Sequence, residues 1–348
     1  MKYLHSRKNH SVVRGYCLIL FMCLLAFGDR AIAAQSDKDR TAALVEGAKK
    51  EGKVVLYTTT APTPFLKRFK EIYPFLDVEV TRTGEDNILI KMLAEERAKK
   101  YVVDVAGLTL NTAELLKSKG LFVKYLSPQR EYYPEVSRDP EGYWTDTFLN
   151  LNVLGYNTKL VSAREVPKSY HDLLDPKWKR RIGMDSKAFW WFANMVKVMG
   201  EKKGLEYMRM LGEQQLLFRN GRTLNTQMLA AGEMSVLITT YNYMVEELKA
   251  KGAPVEWVPL DPVIPELHPM AISTHAPHPY AAKLFVDFIL SREGQEIMAS
   301  TFRIPSRTDV DARVPKLKRG IKILPIDYSL FGDYEKNAKL YREILMKR

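Results

Sequence analysis

Short runs of apolar residues along this chain alternate with segments in which apolar residues recur every three or four positions. The runs at 53–57 and 102–106 are typical of buried strands, and apolar–polar alternation at 76–80 predicts a strand between them. Apolar stripes indicate helices at 88–93 and 281–289. Strands that alternate with helices predict an α/β fold in which mixed sheets are flanked by helices.

The first residues of the chain follow the pattern of a secretory signal peptide. Basic residues precede an apolar run at 17–27, and the small residues Ala31 and Ala33 follow it. Because this run is too short to span a bilayer easily, we interpret residues 1–34 as a cleaved signal peptide, with an uncleaved anchor as the alternative. Cleavage after Ala33 or Ala34 would remove both cysteines. The sequence therefore predicts export to the periplasm.

Charge narrows the class of partner. The chain carries 53 Lys and Arg residues against 41 Asp and Glu, a formal net charge of +12 at pH 7. Such an excess attracts anions toward a cleft. Basic residues also favour nucleic acid, but an exported protein rarely meets it, and the dense basic cluster at 177–181 is interpreted as a solvated loop edge. We expect no nucleic-acid partner.

The chain lacks the short motifs of several enzyme classes. It contains no G-x-S-x-G, H-E-x-x-H or G-x-G-x-x-G sequence and no phosphate loop with its lysine. Three histidines, His268, His275 and His278, lie close enough along the chain to suggest a metal site. Their proline neighbours favour instead an interpretation as punctuation before the helix at 281–289. We expect no catalysis, no cofactor and no metal site.

Several segments, spread over nearly the whole chain after the signal region, form a recognisable set. They are Gly52–Tyr57, Asp104-Val105, Tyr156–Thr158, Val166–Ser169, Asp172-Leu173, Asp175–Lys179, Ala231–Glu233, Pro277–Phe288 and Ser291–Gln295. In order and spacing this set resembles the family 1 extracellular solute-binding proteins of ABC transporters. The resemblance is greatest to the branch that contains the ferric-ion-binding proteins.

The resemblance implies a type II periplasmic binding fold, in which two α/β lobes are joined by two crossing strands and enclose a ligand when they close about this hinge. The crossings would lie near Trp144–Phe148 and Trp257–Pro262. An ABC permease is the implied partner, and we expect the binding protein to be a monomer. The implied division is lobe 1, residues 36–145 and 262–312, and lobe 2, residues 146–261 and 313–348.

Two loops are candidates for holding the ligand. In open α/β sheets, ligands bind beyond the carboxyl ends of strands, where loops lead into helix N-termini that attract anions. Thr58, Thr59 and Thr60 follow the first strand, and Ser186 follows a strand at 182–184. Their hydroxyl groups can donate to and accept from a bound anion. The alternative is that they only cap helices.

By the same resemblance, Tyr241 lies in the loop where the ferric branch places two adjacent metal-binding tyrosines. Here one residue separates Tyr241 from Tyr243. The branch also has a histidine near Thr59 and an acidic ligand after Asp104-Val105, where this chain has Thr109, which stays a candidate for contact with another ligand. Ferric iron prefers several anionic oxygen ligands. One phenolate without a neighbouring carboxylate predicts that the common iron site is missing.

Two further side chains are candidates. Trp190 could form an aromatic wall for the ligand or simply pack in the core of lobe 2. Arg222 precedes a helix and could bind a carboxylate or only form a surface salt bridge. A ligand that touches Thr59, Ser186 and Tyr241 would bridge the two lobes.

The leading hypothesis is an exported solute-binding protein of an ABC importer, which captures a small anion and delivers it to the permease. The second keeps the binding role, with ferric iron or an iron chelate held by Tyr241 and an exogenous anion. A third assigns an extracytoplasmic sensor or enzyme to the same scaffold. The lack of a recognisable nucleophile and base argues against an enzyme.

Overall fold

A computed structural model describes residues 38–346 of the chain, so the predicted signal peptide lies outside the described residues. No helix within 38–346 combines the length and apolar content that crossing a membrane requires. The first elements are α1 (residues 38–51), β1 (Lys53–Thr58), α2 (Thr63–Ile72), β2 (Asp77–Arg82), α3 (Glu85–Ala98), β3 (Val105–Gly107) and α4 (Leu110–Ser118). The elements that follow are β4 (Trp144–Asn157), β5 (Ile182–Asp185), α5 (Phe189–Met199), α6 (Glu201–Gly212), β6 (Leu217–Arg219), α7 (Arg222–Ala231), β7 (Val236–Tyr241), α8 (Asn242–Ala250), β8 (Val255–Val258), β9 (Pro265–Ile272), α9 (Pro279–Leu290), α10 (Arg292–Ser300), β10 (Ile304–Pro305) and α11 (Tyr334–Leu345).

The first sheet is built around β1, whose apolar residues are buried. This strand pairs in parallel with β2 on one side and with β3 on the other. Strand β9 pairs antiparallel with β3 and with β4, and β10 pairs antiparallel with β4. The strand order is therefore β2-β1-β3-β9-β4-β10. Strand β2 forms an edge, which explains why its polar residues alternate with apolar ones.

The second sheet contains the C-terminal part of β4 between two antiparallel neighbours, β7 and β8. Strand β5 pairs in parallel with β7 and with β6, so the order is β8-β4-β7-β5-β6. Strands β5 and β7 are buried along their whole length, as strands between two helical layers should be.

Strand β4 passes from one sheet to the other. It pairs with β9 up to Leu151 and with β7 and β8 from Asn152 onward. The return passage lies at residues 259–264, and both the backbone N–H and the side-chain amide of Asn152 donate to the Ile264 carbonyl. These hydrogen bonds tie the two connections together into one hinge.

The positions of the connections differ in part from those that the sequence suggested. The first change of sheet falls after the expected crossing at Trp144–Phe148, because pairing with β9 keeps these residues in the first sheet. The second passage, at 259–264, overlaps the expected crossing at Trp257–Pro262. The division of the chain into two moving lobes stays a prediction.

Helices cover both faces of each sheet. In the part of the molecule built on the first sheet, α1, α2, α9 and α10 pack on one face of the sheet, and α3 and α4 pack on the other. In the part built on the second sheet, α5, α6 and α11 cover one face of the sheet, and α7 and α8 cover the other. Phe69 of α2 meets Phe285 of α9 edge to face, with ring centroids 5.0 Å apart. We call the part built on the first sheet lobe 1 and the part built on the second sheet lobe 2.

The C-terminal segment contacts both lobes. Ala338, Tyr341 and Leu345 of α11 are buried in the core of lobe 2. Just before this helix, Phe331 stacks on Trp190 of α5 and also packs against the core of lobe 1. The segment assigned to lobe 2 from the sequence therefore also covers the junction between the lobes.

Candidate functional site

A cavity of about 770 Å³ lies between the two lobes. This volume is within the range of sites that enclose small organic ligands. The wall combines loops of both lobes with strands β4 and β9 near the hinge. The lining residues that matter below are Thr59, Thr60, Arg82, Glu85, Asp86 and Thr109 of lobe 1, Phe148, Asn150, Glu266 and His268 of β4 and β9, and Asp185, Lys187, Trp190, Arg222, Tyr241 and Tyr243 of lobe 2.

Five helices, α3, α4, α5, α7 and α8, begin at this cavity because the strands that precede them end at the same cleft. None of the five is capped by the side chain of its own N-cap residue. The first backbone N–H groups of an α-helix have no partner within the helix and carry the positive end of its dipole. The backbone therefore makes a positive contribution to the electrostatic potential of the cleft, independently of charged side chains. The five N-cap residues are Gly84, Thr109, Ala188, Gly221 and Tyr241.

Arg222, Tyr241 and Glu266 form a buried cluster beside the start of α7. The Tyr241 hydroxyl donates to Glu266 Oε2 at 2.7 Å, and Arg222 Nη2 donates to the same oxygen at 3.0 Å. The guanidinium also lies 4.5 Å from the centroid of the Tyr241 ring. Burial raises the pKa of Tyr241 well above its usual value and so favours the neutral phenol. Burial lowers the pKa of Arg222, but the acidic groups around it, Glu266 foremost and then Tyr241, Asp185 and Tyr243, together raise it above its usual value.

His268 is buried in β9 on the wall near the hinge. Its Nε2 lies 3.1 Å from Thr59 Oγ1, and its ring stacks on Phe148 with centroids 4.7 Å apart. Burial lowers the pKa of His268 to about 3, so the imidazole is neutral at physiological pH. The interpretation of this histidine as punctuation before a helix is therefore wrong, because it lies inside a strand. His278, by contrast, is the N-cap residue of α9.

Glu85 places a carboxylate at the start of α4. It is in the first turn of α3, and its Oε1 accepts a hydrogen bond from the backbone N–H of Thr109 at 2.9 Å. Burial raises the pKa of Glu85, and hydrogen bonds from Thr112 and Thr109 oppose that rise. The partial positive charge at the start of α4, on the lobe 1 wall, is thus already offset by an acidic side chain of the protein.

An ion pair joins the lobes at the mouth of the cleft. Asp86 of α3 forms a salt bridge with Lys187, which follows β5 in lobe 2. Both side chains are about half exposed, and such pairs contribute on the order of 1 kcal/mol or less. The pair therefore joins residues of both lobes across the cleft, and a contact of this strength is easily broken.

The structure brings together six of the eight predicted ligand-binding residues, namely Thr59, Thr60, Thr109, Trp190, Arg222 and Tyr241. Their contact with a ligand stays a prediction. Thr58 and Ser186 are not on the wall. The Thr58 hydroxyl is buried and bonds to Thr60, and Ser186 donates its backbone N–H to Arg219 behind the loop. A ligand that bridges the lobes through Ser186 does not fit this placement.

The sequence left two roles open for each of Trp190 and Arg222, one in the cavity wall and one in packing or a salt bridge, and the structure shows features of both. Trp190 is 8% exposed, donates from Nε1 to the Pro265 carbonyl at 3.0 Å and stacks on Phe331, yet part of it lines the cavity. Arg222 does form a salt bridge, but not on the surface, since its side chain is 16% exposed and that of Glu266 is 7% exposed. Both residues therefore contribute to packing and to the wall.

Sequence reasoning missed Glu266, Asn150 and His268. All three lie on β4 and β9, of which the sequence predicted only a crossing near Trp144–Phe148 and no strand at 265–272. Glu266 also overturns the statement that Tyr241 has no neighbouring carboxylate, because the two residues are 25 positions apart along the chain. The available signal was a run of polar residues inside apolar strands, which indicates a buried polar site.

Comparison with known proteins agrees with this architecture. A Haemophilus influenzae protein described as uncharacterized is 26% identical over 316 residues, which cover 84% of this chain and 90% of that protein. The periplasmic binding protein AfuA from Actinobacillus pleuropneumoniae, with exogenous fructose-6-phosphate bound, has a TM-score of 0.75 at 24% identity. The match covers 85% of this chain and 99% of AfuA. Iron-bound HitA from Pseudomonas aeruginosa has a TM-score of 0.73 at 21% identity and covers 84% and 99%.

The fold and the interlobe cleft define a binding protein of the type II periplasmic class, which confirms the predicted fold. The family model for bacterial extracellular solute-binding proteins matches residues 106–330, more than half of the chain. The chain belongs to this family, and its resemblance to the ferric-ion-binding branch is confirmed by the solved structures. Membership implies a small-molecule ligand and an ABC permease as partner, and the family and these neighbours are binding proteins rather than enzymes.

Proposed function

We propose that this protein captures a small anionic solute in the cleft between its lobes and delivers it to the permease of an ABC importer in the cytoplasmic membrane. The observation that carries the proposal is the convergence of five helix N-termini on one cavity whose wall includes Arg222. Partial positive charge at helix starts stabilises a carboxylate or phosphate. AfuA, with fructose-6-phosphate bound, is a neighbour of the same fold that holds a phosphate ester.

Closure of the lobes gives the capture mechanism. Thr59 lies in lobe 1, and Tyr241 and Arg222 lie in lobe 2, so a solute in the cavity can contact both sides at once. A ligand shifts the equilibrium toward the closed state only by its differential affinity for that state. Contacts from both lobes provide that difference. Capture in the periplasm rests on the predicted signal peptide.

A thermal-shift screen of the mature protein tests the proposal. Carboxylates and phosphates are compared with uncharged analogues of the same size, and only the anions are expected to raise the melting temperature, since a ligand that binds the native state stabilises it. Thr59→Val and Tyr241→Phe should each weaken binding of the best anion by about 1–3 kcal/mol. Ser186→Ala, outside the wall, is the control and should bind like wild type. Stabilisation by neutral solutes alone would contradict the proposal.

A second candidate function is the binding of ferric iron or an iron chelate. Tyr241 and Tyr243 stack with ring centroids 6.0 Å apart, and Glu266 bonds the first of them, so three oxygen-bearing groups gather on the wall. Arg222 disfavours iron, because its guanidinium already neutralises Glu266 and would repel a second cation. Among residues 38–346, no group of three His, Cys, Asp or Glu side chains could hold a metal ion.

Visible spectroscopy separates the two candidates. We expect no tyrosinate-to-iron absorption band when ferric iron is added to the wild-type protein. A band that disappears in Tyr241→Phe would favour iron over the anion.

A further inference from the structure

Four polar atoms of residues that line the cleft lack a hydrogen-bond partner among the described residues. They are Glu85 Oε2 on the lobe 1 wall, Asn150 Oδ1, His268 Nδ1 and Arg222 Nε. Asn150 and His268 are 3% and 4% exposed, and both line the cavity where β4 and β9 approach the hinge. Buried polar atoms of this kind are normally satisfied, so those that line a ligand cavity indicate the chemistry of the ligand.

A hydroxyl group is the partner that suits both Asn150 and His268. The Asn150 amide offers a donor at one end and an acceptor at the other, and the neutral His268 ring offers a donor or an acceptor at Nδ1 according to its tautomer. A hydroxyl donates and accepts, whereas an ammonium only donates and a carboxylate only accepts. Hydroxyl groups on the part of a solute near the hinge would therefore satisfy both side chains.

The two lobe walls differ in how they treat an anion. In lobe 2 the Asp185 carboxylate takes the backbone N–H of Lys187 just before α5, but no acidic side chain among the described residues accepts a backbone N–H at the starts of α7 and α8. The unpartnered Nε of Arg222 is a donor at the start of α7. In lobe 1 the Glu85 carboxylate already takes the hydrogen bond from the start of α4. Asp86 on that wall pairs with Lys187, and Arg82 is exposed at the rim. An acidic group therefore binds more favourably in lobe 2.

We infer that the solute is a hydroxylated organic anion, bound with its acidic group toward Arg222 in lobe 2 and its hydroxyl-bearing body toward Asn150 and His268, with Asn150 determining specificity. This inference rests on the proposed function and deepens it. The cavity of about 770 Å³ agrees with it, because a solute with only a few atoms would leave most of that space unfilled.

Calorimetry with matched probes tests the inference. The probes are inorganic phosphate and acetate, hexyl phosphate and hexanoate, and glucose 6-phosphate and gluconate. In the wild-type protein, at least one of the two hydroxylated anions should bind about tenfold or more tightly than its matched alkyl and simple anions. Glucosamine 6-phosphate is included, and tighter binding of this amine than of glucose 6-phosphate would overturn the assignment of hydroxyl groups.

Two variants separate the ends of the solute. Asn150→Leu should lose about tenfold or more in affinity for the hydroxylated probe and little for a probe without hydroxyl groups, whereas Arg222→Gln should weaken all acidic probes. Asn337→Leu, at a partly exposed asparagine of α11 that does not line the cavity, is the control and should change affinity less than twofold. If Asn150→Leu does not fold, the ranking of the probes on the wild-type protein still decides the inference.

The outcomes distinguish this inference from the proposed function. If the wild-type protein binds none of the anions, both fail. If it binds the alkyl anions as tightly as the hydroxylated ones, or if Asn150→Leu weakens all probes equally, the protein binds anions but the inference is wrong.

Discussion

At the residue scale, the cleft compensates its own buried charges. Arg222 neutralises Glu266 and covers the Tyr241 ring, so the phenol, the carboxylate and the guanidinium depend on one another. Burying a charge without a partner is costly, whereas a paired and hydrogen-bonded charge is tolerated. Substitution of one member should therefore have a larger effect than its own contacts suggest.

Arg222→Met should lower the free energy of unfolding by about 3–5 kcal/mol, the usual cost of leaving a buried partner charge unpaired. Adding Glu266→Gln should recover most of this loss, because the uncompensated carboxylate is then absent. Chemical denaturation measures both. Arg292→Met, which breaks the exposed pair with Glu296, is the control and should cost less than about 1 kcal/mol. Equal losses in Arg222→Met and the control would show that the cleft pair is not buried in solution.

The second prediction at this scale concerns the pH dependence of stability. The pKa of His268 is lowered to about 3 by burial, against about 6.5 for an unperturbed histidine. Between these values the unfolded chain binds a proton that the folded protein does not bind. The contribution of His268 to the free energy of unfolding is therefore complete above about pH 6.5 and falls as the pH is lowered toward 3.

Denaturation of His268→Gln between pH 7 and 4 measures this contribution. The amide of Gln can keep the hydrogen bond to Thr59 but does not titrate in this range. We expect a shallower loss of stability on acidification than in the wild-type protein. His171→Gln, at an exposed histidine, is the control. Parallel curves for wild type and His268→Gln would contradict a neutral, buried imidazole.

At the scale of elements, two helices of lobe 2 pack so closely that a glycine is needed at a position where helix propensity alone would favour alanine. Helices α5 and α6 are consecutive, and a Cβ atom at Gly204 would lie 2.6 Å from Val196 Cα. The Val196 backbone cannot yield as a flexible side chain could. The glycine is therefore required by the approach of two helices rather than by its own conformation.

Gly204→Ala should lower the free energy of unfolding by about 1–3 kcal/mol, as overpacking in cores does. Helix propensity alone predicts the opposite sign, a gain of about 1 kcal/mol. Gly332→Ala is the matched control, because a Cβ there meets no atom within 4 Å, and its effect should stay within about 0.5 kcal/mol. A stabilised Gly204→Ala protein would show that the helices can separate at little cost.

At the scale of the whole molecule, β4 and the passage at 259–264 connect the lobes, while Asp86 and Lys187 join them across the mouth of the cleft. The hinge is continuous with both sheets, but the salt bridge is exposed and weak. If the lobes move about this hinge, as we predict, the balance between open and closed states depends on small energies. A ligand or a single surface substitution can shift it.

Lys187→Met should increase the population of open molecules in the absence of solute, because the only change is loss of a weak contact between the lobes. Small-angle X-ray scattering should show a larger radius of gyration than in the wild-type protein. Lys251→Met removes a comparable exposed pair with Glu247 at the C-terminal end of α8 and should leave the radius unchanged. A change in both variants, or in neither, would contradict a role of Asp86 and Lys187 in closure.

Much of the candidate site was accessible from the sequence because loops after buried strands can be recognised locally. Thr59, Thr109 and Tyr241 were identified from their places after strands and from the resemblance to a family, and all three line the cavity. Ser186 follows a strand in the same way, yet it does not line the cavity. Position after a strand determines which loop is near the cleft, but not which side chain faces it.

The sequence by itself determined part of the alternation of strands and helices, including β1, β2, α3 and α9, because the spacing of apolar residues sets which face of each element can be buried. Together with the family resemblance, it also determined the two-lobed fold class. Only the tertiary structure decided that Glu266 bonds Tyr241, that His268 lies against Thr59, and that β4 changes sheets at Leu151. The physical reason is that burial patterns act within one element, whereas these contacts join positions far apart in the chain and depend on how the two sheets meet at the hinge.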